Sequence, residues 1–153
     1  MLLRVIIFIL IFFTFSKTTE AQNQEARLTK SFLIIATTKN YNTALKEAKA
    51  ASKNLGITLN LRNMHQDKNE GLTTNEVCSC GEKHGYFPRG RFDDGKYISI
   101  EYSNFFETFR PGYYMLIAAS GFREELHKLL PLIQQEYATA YIKDAKVYMG
   151  CMH

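Results

Sequence analysis

Residues 31–37 read Ser-Phe-Leu-Ile-Ile-Ala-Thr, a short apolar run bounded by Lys39-Asn40. Its length, its β-branched content and its polar boundary predict a buried strand. Asn40 or Asn42 is placed to cap a following helix. From Thr43 onward, Ala44, Leu45, Ala48, Ala51 and Leu55 recur at helical spacing, and the small alanines let such a helix lie close to a sheet. Gly56 stands where a helix C-terminus wants a left-handed residue. Ile57-Thr-Leu-Asn-Leu61 then alternates apolar with polar, as a half-buried strand does. Residues 31–61 therefore read as one βαβ unit.

The same order returns downstream. Tyr113 to Ala119 is strand-like, and Ser120-Gly121 turns the chain. Phe122, Leu126, Leu129, Leu130 and Ile133 then mark a helix over 122–136. Pro131 removes a backbone donor there and is expected to kink or split the helix near Lys128. Ala138 to Ile142 is again strand-like; Lys143-Asp144 reads as a turn or bulge, and Lys146 to Met149 as an extension of the strand. Ile34 to Thr38 aligns with Leu116 to Ser120, so the two units look like an internal repeat. Two βαβ halves predict an α+β domain of ferredoxin-like plan: an antiparallel sheet with two helices on one face and the other face free. The halves are separated by an insertion at residues 62–112. Within it, Tyr97 to Tyr102 alternates as a further strand, and the polar, glycine-containing stretch 62–95 reads as a long functional or mobile loop.

The chain opens Met1-Leu-Leu-Arg4, continues without charge from Val5 to Phe15, and turns polar up to Ala21. A positive start, a short apolar core and small residues at a cleavage point describe a signal peptide, residues 1–21. The apolar run is short of the roughly 20 residues that span a bilayer, so the membrane is expected as a contact only before cleavage. Residues 22–30 read as a flexible lead, and residues 31–153 as a single domain. Export puts the chain in the periplasm or outside the cell. The removed segment carries Arg4, Lys17 and Glu20, which lowers the formal net charge by one from +4. So small a charge argues against nucleic acid as the partner.

Two spans, Phe32 to Thr38 and Tyr114-Met-Leu-Ile-Ala-Ala-Ser-Gly-Phe122, carry an aromatic-led strand, a small-residue turn and an aromatic before an Ala/Leu-rich helix. In this the chain resembles the sporulation-related repeat (SPOR) family over residues 31–61 and 113–149. The resemblance implies a ferredoxin-like envelope domain that binds peptidoglycan glycan strands.

On the sheet face opposite the helices, alternation places Thr58 and Asn60 from one strand, and Thr139, Tyr141 and Lys143 from another. Thr58, Asn60, Tyr141 and Lys143 are the candidate ligand-binding residues: a ring stacks on a sugar face, and amides and hydroxyls bond to its hydroxyls. Alternation by itself specifies only which face is buried. The expected function is a non-catalytic envelope module binding peptidoglycan or another glycan, with no cofactor. The alternatives are a protein-interaction or inhibitor module using the 62–95 loop, and a Cys/His metal-binding envelope protein.

Cys78, Cys80 and Cys151 are the three cysteines. In an oxidising compartment a bridge from Cys151 to Cys78 or Cys80 is favoured, and closing a loop of about 70 residues is worth roughly 4 kcal/mol in the chain-entropy model. With His153 they are also a possible metal set, thiolate and imidazole suiting Zn or Cu(I); His84 lies near the first pair. No Gly-x-Ser-x-Gly or His-Glu-x-x-His occurs. Asp93-Asp94 and Glu124-Glu125 are sequence neighbours whose side chains diverge, a poor catalytic pair. Arg89 and Arg91, set among Phe87 and Phe92, suit contact with an anionic partner; the alternative is that Phe87 and Phe92 pin the loop to the core.

Overall fold

Local signals set the first helix. In the computed structural model, which describes residues 27–75 and 88–149, Asn40 caps α1 (Tyr41–Leu55) by accepting from the Thr43 amide at 3.0 Å. Gly56 ends it at φ 62°, in the left-handed region, with its amide bonded to the Ser52 carbonyl. Ala44, Ala48 and Ala51 are all fully buried beneath this helix.

The strands are β1 (Arg27–Thr38), β2 (Met64–Asp67), β3 (Gly71–Thr74), β4 (Gly95–Tyr102), β5 (Tyr114–Gly121) and β6 (Tyr141–Tyr148), and the second helix is α2 (Arg123–Gln134). The fold is α+β. A four-stranded antiparallel sheet runs β4-β5-β1-β6, and β2 and β3 form a separate hairpin. The two aligned spans of the repeat are neighbours in space: β1 and β5 pair antiparallel, with Phe32 opposite Ser120 and Thr38 opposite Tyr114. Residues 29–147 make up one compact unit, and the other described residues, Arg27, Leu28, Tyr148 and Met149, group outside it.

One face of the sheet packs under both helices. Leu33, Ile35, Ile98, Ile100, Leu116 and Ala118 meet the alanines of α1 and Leu126 and Ile133 of α2.

Several expectations need correction. The run 57–61 does not enter the sheet: Leu59 makes an isolated parallel bridge to Ile98, fixed by Asn60 N to Ile98 O at 2.9 Å and Ile98 N to Thr58 O at 2.8 Å. It fringes the outer edge of β4, and β4, drawn from the insertion, supplies the sheet strand. The lead is shorter than residues 22–30, because β1 already includes Arg27 to Lys30; residues 1–26 lie outside the described residues. The last strand is continuous from Tyr141, so Thr139 precedes it and Lys143-Asp144 is not a turn. Finally, α2 runs through Pro131, while Phe122 stands outside it and is 77% exposed. Pro131 and His127, whose carbonyl the proline leaves without its helical donor, are both on the exposed side where solvent reaches.

The second face is not free either. Phe32, Ile34, Met115, Ile117 and Val147 are buried there along with Phe106, whose ring meets that of Phe32 edge-on at 5.3 Å. Beside them lies Arg89, whose exposure is 0%. Its guanidinium donates to the carbonyls of Tyr97 (2.9 Å), Ile117 (3.0 Å) and Gly95 (2.7 Å), and to the hydroxyls of Ser99 (3.0 Å) and Ser120 (3.1 Å). It also lies 3.6 Å from the centre of the Tyr97 ring. Burial pulls the Arg89 pKa down, against the attraction of Tyr97, Glu101 and Asp93. Burial likewise pushes the Tyr97 phenol far above its ordinary value. Of the two readings of residues 87–92, the loop is pinned, but by Arg89; Phe92 is 73% exposed and Phe87 lies outside the described residues.

A second arginine closes the network. Arg62 reaches both oxygens of the buried Glu101 carboxylate, at 3.0 and 3.1 Å, and Asp93 at 2.8 Å. Arg62 and Asn63 have φ of 56° and 54°, the middle of a tight turn closed by Met64 N to Leu61 O at 2.9 Å. Asparagine takes that conformation readily and arginine does not; the two carboxylates hold Arg62 there.

Candidate functional site

At one end of the second face the covering is incomplete. Strand alternation carries Tyr141 and Lys143 of β6 to this face, while Ala140 and Ile142 pack with the helix-side core. Thr37 of β1 and Met115 of β5 pair across the sheet beside them. The connection from β4 to β5, residues 103–113, folds over this end. Its two ends are tied by Ser103 N to Tyr113 O at 2.8 Å and by Tyr113 N to the Ser103 hydroxyl at 2.9 Å. Phe106 anchors its middle in the core against Phe32 and Phe109. The Thr108 hydroxyl fastens it to β6 by donating to the Asp144 carbonyl at 3.0 Å. The result is a depression of about 260 Å³ walled by Phe109, Arg110, Tyr113, Tyr141 and Lys143, with Met115 and Thr37 on the sheet side.

Cations and rings are interleaved around it. The Lys143 ammonium lies 4.7 Å from the Phe109 ring centre, and Arg110 lies 5.7 Å and Lys39 5.4 Å from that of Tyr113. Among the described residues, no carboxylate lines it. Partial burial raises the Tyr141 pKa, so its phenol stays protonated at neutral pH and can donate a hydrogen bond. Such a site offers flat apolar surface for a ring, hydroxyls for polar substituents, and positive charge.

Of the four candidate residues, the structure brings Tyr141 and Lys143 together and places Thr58 and Asn60 elsewhere. Thr58 lies exposed beside β4. Asn60 lines a larger depression of about 650 Å³ with Arg62, Asn63 and Thr74, but its side-chain oxygen accepts from the Arg62 amide at 2.8 Å and so serves the turn. Arg62 is likewise committed to Asp93 and Glu101. The smaller depression, with its uncommitted cations and rings, is the stronger site. Phe109, Arg110 and Tyr113 were not among the sequence candidates; their signal is the aromatic-rich stretch that ends in Arg110-Pro111-Gly112-Tyr113.

Cys78, Cys80, His84, Cys151 and His153 lie outside the described residues, and the disulfide and metal readings with them. Among the described residues, no cluster of three or more His, Cys, Asp or Glu is placed to hold a metal ion, and no helix is long and apolar enough to cross a membrane. Glu124 and Glu125 occupy the first turn of α2, favourable to its dipole. Asp94 pairs with Lys30, and His65 is exposed on β2.

No protein family, curated protein or solved structure matches this chain.

Proposed function

We propose that this chain is an exported, non-catalytic binding module of the cell envelope that takes a glycan, peptidoglycan foremost, into the depression between β6 and residues 103–113. The observation that carries the reading is the convergence of Tyr141 and Lys143 with Tyr113, Phe109 and Arg110 on one shallow wall. Rings and hydroxyls gathered around a groove suit the faces and substituents of sugars, and a shallow, open shape suits a polymer better than a small enclosed substrate. Export rests on the signal-peptide pattern of residues 1–21. A ferredoxin-like plan is supported by the strand order β4-β5-β1-β6, with one helix after β1 and one after β5, the order that two interleaved βαβ halves produce. The resemblance to SPOR domains points to the same ligand class.

Co-sedimentation of residues 22–153 with purified peptidoglycan sacculi tests the function. Saturable binding is expected, with Tyr141→Ala weakening it about tenfold through the loss of one central aromatic contact. Absence of binding at high micromolar concentration would remove the glycan reading.

A further inference from the structure

We infer that the glycan taken at this depression is anionic, its carboxylate or phosphate groups met by Arg110 and Lys143. The inference rests on the glycan reading and narrows it. Three basic side chains elsewhere in the unit have acidic partners: Lys30 has Asp94, Arg62 has Asp93 and Glu101, and Arg123 has Asp144. Lys39, Arg110 and Lys143 differ. Among the described residues none of them forms an ion pair, and each is held over an aromatic ring instead. Lys39 and Arg110 share one ring, that of Tyr113, at 5.4 and 5.7 Å from its centre. A ring face attracts a cation but leaves its charge uncompensated. An anion seated between Arg110 and Lys143 in the depression supplies the missing partner. The planar fork of Arg110 suits the paired oxygens of a carboxylate or phosphate. The depression, about 260 Å³, falls below the usual range for enclosed ligand sites. It has room for a single sugar ring with its charged substituent, the rest of the polymer lying over the rim.

The test uses three preparations of sacculi: untreated, carbodiimide-amidated to neutralise carboxylates while keeping their shape, and acid-stripped of phosphodiester-linked polymers. Binding to the untreated material is expected to fall at least about tenfold after one of the treatments, which identifies the anionic group. The double variant Arg110→Gln/Lys143→Gln should lose a similar factor and show a flatter salt dependence. Its circular dichroism and melting temperature should be unchanged, because Arg110 is exposed and neither residue bonds to the core. Equal binding to all three preparations, or wild-type binding by the double variant, would overturn the anionic assignment and leave a neutral-glycan site that still depends on Tyr141. No binding to the untreated sacculi would overturn the glycan reading, and the anionic assignment with it.

Discussion

Replacing Arg89 by alanine is expected to destabilise the domain by about 3–5 kcal/mol, seen as a lower urea midpoint. The loss has two parts. The guanidinium's five hydrogen bonds and its stacking on Tyr97 disappear. The acceptors it served then stay behind in the sheet: the carbonyls of Gly95, Tyr97 and Ile117 and the hydroxyls of Ser99 and Ser120 each lose their guanidinium donor. Each buried group left unpaired costs about 1–3 kcal/mol, so even partial rescue by entering water leaves a large deficit. Against a total stability of about 5–15 kcal/mol for a typical domain, this is a substantial fraction. Arg89→Lys should recover only a minor part, because an ammonium is a compact point of charge that cannot reproduce the fork. A cost below about 1 kcal/mol for the alanine variant would mean that the segment around Arg89 is held by something else.

Glu101→Ala is expected to cost about 3 kcal/mol, the lower end of the range for breaking a buried ion pair. Glu101 is 1% exposed, and it accepts from Arg62 through both oxygens and from the Arg89 amide at 3.2 Å. The lower end applies because Arg62 keeps its contact with Asp93 at 2.8 Å. A double-mutant cycle with Arg62→Ala separates the pair from its surroundings, and a coupling of about 1–3 kcal/mol is expected. Additive effects would show that the two side chains stabilise the domain independently. Both variants should leave Tyr141, Lys143 and Tyr113 in place, so loss of stability and loss of binding are separable.

Much of the first half was legible in the sequence because its signals are local. Asn40, the alanine stripe and Gly56 act within a few residues of themselves, and they set the helix bounds. Strand pairing is different. The runs 57–61 and 97–102 alternate alike, and nothing local says which of them joins β5. The choice is made by long-range packing, where Ile98 and Ile100 meet the helices while Ser99 and Glu101 meet the buried arginine. Arg89 itself ran against expectation, since arginine is rarely buried without a dense set of acceptors, and those acceptors come from strands distant in sequence.

The site was half legible for the same reason. Tyr141 and Lys143 follow from strand alternation, which fixes side-chain direction every second residue. Phe109, Arg110 and Tyr113 sit in a connection without a period, where the direction of each side chain depends on how Ser103 and Tyr113 close the loop.

The most direct test of the proposed glycan site is a backbone-amide NMR titration of residues 22–153 with soluble glycan fragments released from sacculi. The largest shifts are expected at Thr37, Arg110, Tyr113, Tyr141 and Lys143, with those around Asn60 and Arg62 unmoved. Shifts centred on residues 58–64, or none at saturating fragment, would contradict the assignment of binding to the depression between β6 and residues 103–113.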